Sequence, residues 1–134
     1  MKIQTALRST MAQAMIAAMA NGTLASPKLE IYSGSIPATM GGSITDTLLT
    51  EHTLTNTVAT ESNGLITFEA IGEDLSVNAT GTAGWARIID RDGAEVIYLT
   101  VSATGGSGEL RLNTVNLDAG SSVTITSGVI TAGA

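Results

Sequence analysis

The side chains of this sequence that could do chemistry are mainly carboxylates, and one group of them surrounds a glycine. Asp90, Asp92 and Glu95 lie close to Gly93. Carboxylates beside such a turn could contribute to a Ca²⁺ site, which needs about six to eight oxygen ligands, but the full spacing of an EF-hand loop is missing. Aspartates also cap turns by accepting hydrogen bonds from backbone amides. We therefore interpret Asp90 and Asp92 as turn-capping residues and predict no metal site.

A second acidic group consists of Glu69, Glu73 and Asp74. Two carboxylates that flank the scissile bond are the catalytic pair of glycosidases. Such an enzyme also needs a cleft lined with aromatic side chains to hold the sugar, and the sequence has only one Trp, one Phe and two Tyr residues. The sequence therefore favours a solvated loop edge over a paired-carboxylate active site.

His52 is the only histidine, and the chain has no cysteine. His52 follows Glu51 in a predicted strand, where neighbouring side chains point to opposite faces of the sheet. A catalytic triad would have to recruit its other members from distant positions, and no nucleophile-elbow motif is present. We therefore interpret His52 as a structural strand residue on a half-exposed face and predict a protein that is not an enzyme and holds no cofactor.

The composition is typical of one acidic domain. The chain has 134 residues, 13% of them charged, and a net charge of −6. Because a stripe of basic residues for phosphate binding is missing, we expect no nucleic-acid partner. No apolar run reaches the roughly 18 residues of a membrane helix, so we expect no membrane contact, and the N-terminus fits a signal peptide poorly. Aliphatic residues mixed with Thr, Ser and Gly suit packed strands, tight turns and a surface partly covered by sister subunits.

An N-terminal helix is predicted over residues 3–20. Apolar residues recur at steps of three and four, which places them on one helix face, and Asn21 with Gly22 forms a stop signal. This face comprises Ile3, Leu7, Met11, Ala14 or Met15, and Ala18 or Met19, whereas Gln4, Arg8 and Ala12 fall outside it. Two interpretations stay open. The face packs on the domain's own sheet, or it contacts a neighbouring subunit, for which adaptable methionines are well suited.

Short alternating segments separated by turn residues predict about seven or eight strands after the helix. The clearest signal is a hairpin in which residues 81–89 lead into a turn at 90–93, because Asp-Gly favours the positive φ of a tight turn. The other segments are 28–33, 47–54, 65–70, 75–79, 109–113 and 121–131, while residues 55–62 predict no definite element. We predict an all-β fold, an antiparallel β-sandwich or jelly-roll-like domain over residues 23–134, preceded by a helical segment over residues 1–22.

Two further features are candidate contact surfaces. The loop of residues 34–43 is rich in turn formers and carries Ile36 and Met40. Trp85 is most simply a core anchor, because a Trp side chain buries a large apolar area, but Trp is also enriched at interfaces. The candidate interface residues are therefore Leu7, Met11, Met15, Met19, Ile36, Met40 and Trp85.

The order of the segments resembles a family of small virion structural proteins of tailed bacteriophages. The N-terminal helix is followed by LEIYSGSIPAT at 29–39, TLLTEHTL at 47–54 and GLITFEAI at 64–71. The most specific parts are GTAGWARIIDRDG at 81–93 and the ending that begins with ELRLNT at 109–114. The resemblance covers nearly the whole chain.

The resemblance implies a capsid decoration (cement) protein, which binds the major capsid protein and stabilises the head shell. It implies a homo-oligomer, a trimer or a dimer, on the capsid surface of the virion after synthesis in the host cytoplasm. No catalytic residues are carried over. The chain departs from the family at Ala86, where relatives have an aromatic residue, and in the returning strand VIYLTVSA at 96–103. These departures bear on the partner surface more than on the fold.

Two other functions are compatible with the sequence. Neck, collar and tail-associated virion proteins use similar β-domains, and the location in the particle separates them from cement proteins. A secreted carbohydrate-binding β-sandwich module is the second alternative, for which sugar binding would quench the fluorescence of Trp85.

Overall fold

The computed structural model describes residues 1–133 and consists of one helix followed by nine short strands. The helix is α1 (Thr5–Met19). The strands are β1 (Lys28–Ser33), β2 (Leu48–Thr53), β3 (Ala59–Ser62), β4 (Leu65–Phe68), β5 (Gly81–Ile89), β6 (Glu95–Ala103), β7 (Leu110–Leu112), β8 (Asn116–Leu117) and β9 (Ile125–Thr131). The prediction of a mainly β chain with an N-terminal helix is confirmed.

The strands form a curled, mixed sheet in the order β2-β1-β5-β6-β7-β9-β4-β3, and β8 pairs with the start of β5. The paired strands are antiparallel except for β6 and β7, which run parallel. The prediction of a purely antiparallel sheet is therefore wrong. The reason lies in residues 104–109, where the chain reverses after β6 and then reverses again, so that β7 runs beside the end of β6 in the same direction.

The two tight turns that the sequence predicts do join antiparallel neighbours. Residues 90–93 connect β5 with β6, and Gly93 has a φ of 90°. Asn63 and Gly64, with φ values of 52° and 86°, connect β3 with β4. Both residues of the second turn adopt the left-handed conformation that a two-residue hairpin turn requires.

The strand predictions fail where a segment is short or its alternation is weak. Residues 75–79 form no strand, and Asp74 just before them makes only an isolated bridge with Val123. β3 lies in the polar segment that predicts no definite element, and β8 has only two residues. Both strands form because a neighbouring strand, β4 for β3 and β5 for β8, supplies their hydrogen-bond partners.

One hydrophobic core lies on the inner side of the sheet and includes residues of α1. Inward side chains alternate along the central strands, as Leu29 and Ile31 do on β1 and Ala86 and Ile88 do on β5. The helix packs along β3 and β4. The helical segment and the strands therefore share one core.

The buried face of α1 differs from the predicted one. Ala12 and Met19 are fully buried, whereas Leu7 is 52% exposed and Met11 is 36% exposed. The interpretation that the predicted face packs on the protein's own sheet is therefore wrong for Leu7 and Met11. The small side chain of Ala12 lets the helix axis lie close to the sheet, because the side chains at a contact set the distance between packed elements.

Candidate interaction site

The acidic turn between β5 and β6 holds the segment that follows the helix. Asp90 Oδ1 accepts hydrogen bonds from the backbone amides of Asp92 and Ala94, both at 2.9 Å. Asp92 Oδ1 accepts from the amides of Thr23 and Leu24 at 2.9 and 3.1 Å. The bond from the Ala94 amide, with those of neighbouring amides, lowers the pKa of Asp90. These bonds confirm the turn-capping interpretation and extend it, since Asp92 caps a second segment of the chain.

The other acidic group is dispersed rather than paired. Glu69 accepts hydrogen bonds from two threonine hydroxyls, Glu73 from Thr124, and Asp74 from two backbone amides. Within residues 1–133, no group of three or more His, Asp or Glu side chains is placed to hold a metal ion. Each carboxylate fastens one loop to its neighbour.

His52 is buried, with 1% of its surface exposed. Its Nδ1 lies 2.7 Å from the carbonyl oxygen of Gly72, which can only accept, so the geometry assigns the ring proton to Nδ1. Nε2 then accepts from the Thr50 hydroxyl at 3.0 Å. Burial lowers the pKa of His52, so the ring is neutral at pH 7. Both ring nitrogens are occupied by the strand and its covering loop. The interpretation of His52 as a structural residue agrees with these bonds, but the predicted half-exposed face is wrong, because the loop at Gly72 covers the ring.

Three of the four aromatic side chains stack together on the outer side of the sheet, and we call Tyr32, Trp85 and Tyr98 the aromatic cluster. The rings of Tyr32 and Trp85 are stacked with centroids 4.8 Å apart, and the ring of Tyr98 lies tilted 4.9 Å from that of Trp85. Trp85 has no exposed surface. It points away from the main core, since its neighbour Ala86 points into it.

An ion-pair network borders the aromatic cluster. Arg87 Nε donates to Glu30 Oε1 at 2.6 Å, and Arg87 Nη1 donates to Glu95 Oε2 at 2.9 Å. Tyr98 donates its hydroxyl to the same oxygen of Glu95 at 2.6 Å, which is the main reason that the pKa of Glu95 is lowered. The guanidinium also lies 5.7 Å from the ring centroid of Tyr32. Glu30 and Glu95 are therefore both paired with Arg87. They lie on the outer face of the sheet, as the alternation of side chains along the strands indicates.

A long loop covers the aromatic cluster, and we call residues 34–46 the strap. Trp85 Nε1 donates to Asp46 Oδ2 at 2.9 Å, and the backbone amide of Gly41 donates to Glu95 Oε1 at 3.1 Å. The strap starts in close contact with β5, because a Cβ atom on Gly84 would lie 1.7 Å from the carbonyl oxygen of Gly34. The strap is therefore fastened to the sheet at its start, middle and end.

The structure divides the predicted interface residues into three groups. Ile36 on the strap is 43% exposed, and Met40 is 48% exposed. Leu7 and Met11 are exposed on α1, and Met15 is half-buried. Met19 and Trp85 have no exposed surface, so a partner cannot reach them, and as interface residues they are predicted wrongly. Met19 belongs to the main core. Trp85 is buried in the aromatic cluster and not in the main core, so the core-anchor interpretation is correct about its burial and wrong about its place.

Sequence reasoning missed Glu30 and Asp46, and it considered Glu95 only as a carboxylate of the turn around Gly93. Glu30 is 7% exposed although it alternates with core residues on β1. One signal could have found its partner, because the register places Glu30 directly opposite Arg87 on β5. No local pattern indicates that Asp46 reaches Trp85 across a separation of 39 residues.

Four of the exposed large apolar side chains lie in two segments without charge, whereas Leu7 lies just before the first segment, beside Arg8. The sequence has no charged residue from 9 to 27 or from 34 to 45, although its net charge is −6. Leu24, Ile36, Met40 and Met11, which are among the exposed large apolar side chains, fall in these segments. Exposed apolar side chains without a charge nearby in the sequence are candidate contacts for another macromolecule.

No protein-family model, no curated protein and no solved structure matches this chain. Within residues 1–133, α1 is too short to cross a lipid bilayer, and no other helix is present. The functional conclusion therefore comes from the geometry of the chain and from its sequence resemblance.

Proposed function

We propose that this chain is a virion structural protein of a tailed bacteriophage, a capsid decoration protein that binds the major capsid protein on the outside of the head. The proposal rests on two groups of exposed apolar side chains, one on α1 and one on the strap. Both elements are packed or bonded against the sheet, so these side chains have defined positions. The resemblance of the whole chain to small phage virion proteins supports the same role. We include in the proposal that the curled sheet is a jelly-roll-like sandwich.

The fixed shape of the strap suits a binding surface. Ile36 and Met40 lie on a loop whose ends and middle are bonded to the sheet through Asp46 and Glu95. A loop that is ordered before binding loses less conformational entropy when it binds. Decoration proteins gain affinity by repeating a modest contact many times over a lattice, so a small preformed surface is sufficient.

The two alternatives differ in how they fit the structure. A neck, collar or tail-associated protein would use the same two surfaces, and only the position in the particle separates it from a decoration protein. A carbohydrate-binding module would need an exposed aromatic platform. Trp85 is fully buried under the strap, so no observation favours this second alternative.

The test uses heads of the particle that carries this chain, assembled without it and then incubated with the purified protein. We expect electron cryomicroscopy to show added density at regular positions on the head lattice. A Met40→Asp variant should lose most of this density, because the new charge enters an uncharged contact. A Leu75→Asp variant is the matched control, since Leu75 is 72% exposed and lies outside both uncharged segments.

Density confined to the neck or tail would replace the decoration role by the connector role. Heads that bind neither the wild-type chain nor any variant, at protein concentrations where the chain is folded, would overturn the proposal of a virion protein.

A further inference from the structure

We propose that α1 of one chain packs against α1 of a second copy in an antiparallel pair with two-fold symmetry. The proposal rests on the exposed side of the helix, on a cavity beside it and on the distribution of charge. It goes beyond the virion role and does not depend on it.

An apolar stripe runs along the exposed side of α1, and we define the stripe as Leu7, Met11, Ala14 and Ala18, all of which are exposed. Their spacing of four, three and four residues is the seam spacing of packed helix pairs. Leu7 is 52% exposed and Met11 is 36% exposed, so the protein covers each of them only in part. The helix thus has a second packing surface besides its buried face.

The stripe is self-complementary in the antiparallel direction. Its first half carries the large side chains of Leu7 and Met11, and its second half carries the small ones of Ala14 and Ala18. In an antiparallel pair, Leu7 faces Ala18 of the second copy and Met11 faces Ala14, so a large side chain always meets a small one. A parallel pair would bring small residues together and leave gaps between them, which close packing disfavours.

A cavity lies beside the small half of the stripe. It has a volume of about 280 Å³ and is lined by Ala14, Met15, Ala18, Met19, Val96 and Ile97. All of these residues are apolar, so the cavity accepts aliphatic side chains and offers no charged group to a polar ligand. In the antiparallel pair the large half of the second copy's stripe fills this cavity. Two-fold symmetry fills both cavities at once, because each copy contributes the same surface.

The distribution of charge favours a second copy as the occupant. The chain has a net charge of −6, and two acidic copies repel each other wherever their carboxylates meet. The sequence from residue 9 to residue 27, which contains most of α1, has no charged side chain. Asp90 and Glu95 border this helix in space, because they line a pocket together with Ala17 and Ala18. In the antiparallel pair that end of α1 lies opposite the N-terminal end of the second copy, and residues 1–29 contain no carboxylate. The helix contact therefore does not bring like charges together.

Disulfide cross-linking tests the pair, because the chain has no cysteine of its own. Full-length Leu7→Cys and Ala18→Cys chains are mixed and oxidised. We expect the heterodimer to form well above its statistical share and each variant alone to form little homodimer, since Leu7 faces Ala18 across the pair. Ala6→Cys replaces Leu7→Cys in the control, because Ala6 is exposed but turned by roughly 100° around the helix axis.

Sedimentation velocity of the uncross-linked proteins provides the second measurement. The wild-type chain should show a dimer that increases with concentration. Ala14→Glu should remain monomeric at the same concentrations, because two carboxylates would meet near the two-fold axis, and Ala6→Glu should behave as the wild type. Circular dichroism should show both variants folded, since both positions are exposed.

Three outcomes would overturn the proposal. Leu7→Cys homodimers as the main product would indicate a parallel pair. A wild-type chain that stays monomeric, together with Leu7→Cys and Ala18→Cys chains that give no heterodimer, would exclude the contact altogether, and an Ala14→Glu variant that still dimerises would place the contact elsewhere. Binding to heads is measured separately, so failure of the helix pair and failure of the virion role remain distinguishable.

Discussion

Trp85 joins three parts of the protein at one residue. It stacks on Tyr32 of β1, contacts Tyr98 of β6 and donates a hydrogen bond to Asp46 at the end of the strap. Because Trp85 is the only Trp, the Trp fluorescence of the protein measures how well this one side chain is shielded from solvent. The indole is buried by a loop rather than by the main core, so its environment depends on whether the strap is closed.

Replacing Asp46 by Ala should loosen the strap. The indole N–H would lose its acceptor, and a buried donor without a partner costs about 1–3 kcal/mol. We expect the emission of Trp85 to shift to longer wavelength and its quenching by acrylamide to increase. Asp118→Ala is the control, because Asp118 is an exposed aspartate on the 117–121 turn. Unchanged emission in Asp46→Ala would mean that the hydrogen bond does not hold the strap.

At the scale of the element, the strap depends on how closely its first residue approaches β5. The carbonyl oxygen of Gly34 occupies the position that a side chain on residue 84 would need. Only glycine at 84 allows this approach, because any other residue adds a Cβ atom at a distance that real contacts do not show. The backbone of the strap at Gly34 therefore packs directly against the backbone of β5 at Gly84, and this contact does not involve Asp46.

Gly84→Ala should displace the start of the strap. We expect a loss of about 1–3 kcal/mol in the free energy of unfolding, the usual cost of forcing an extra group into a packed site. Thermal unfolding and the emission of Trp85 would both be measured. Gly42→Ala, in the same loop, should leave both unchanged, because a Cβ atom there would meet nothing within 4 Å. Equal stability of the two variants would contradict the close approach.

The helix shows a similar dependence on a small residue. Ala12 is fully buried against the sheet, while the larger Leu7 and Met11 remain exposed. The spacing of the larger apolar residues in the sequence therefore indicated the exposed stripe rather than the buried face of the helix. Since α1 also supplies Met19 to the core, deleting residues 1–20 would remove core packing together with any contact surface. Single substitutions on the stripe separate these two effects, and the deletion does not.

At the scale of the whole molecule, several carboxylates hold loops in place through hydrogen bonds, whereas two segments, residues 9–27 and 34–45, contain no charged residue. Asp46, Asp92 and Glu95 each bond a loop or linker to the sheet. The net charge of −6 makes two copies repel each other where their carboxylates meet. We therefore propose that association uses the two segments that contain no charged residue.

The stability of the whole molecule should fall between pH 6.5 and pH 5.5 because of His52. Burial places its folded pKa below the unfolded value of about 6.5. The unfolded chain therefore binds a proton that the folded chain does not, and the free energy of unfolding decreases as the pH falls through about 6.5, by at most about 1.4 kcal/mol per pH unit. The decrease ends once the pH is below the folded pKa.

Denaturant unfolding at several pH values measures this slope. His52 is the only histidine, and unfolded carboxylates titrate near pH 4, so the window isolates it. A His52→Gln variant should show no slope between these pH values, whatever its absolute stability. A wild-type protein with constant stability over this window would show that the ring is not held in its neutral form.

The sequence by itself determined the features that depend on neighbours along the chain. The turn of Asn63 and Gly64, the hairpin around Gly93 and the existence of α1 follow from local backbone preferences and periodicity. The uncharged segments and the absence of cysteine need no structure at all.

The tertiary structure decided what depends on residues far apart in the chain. It selected Ala12 for the buried side of α1, paired β7 parallel to β6, and placed Asp46 over Trp85. Each of these outcomes depends on how two segments that are distant in the sequence pack against each other. A local sequence pattern describes only one of the two segments. Glu30 and Tyr32 illustrate the reason, since both are buried and their partners Arg87 and Trp85 lie on β5, more than 50 residues further along the chain.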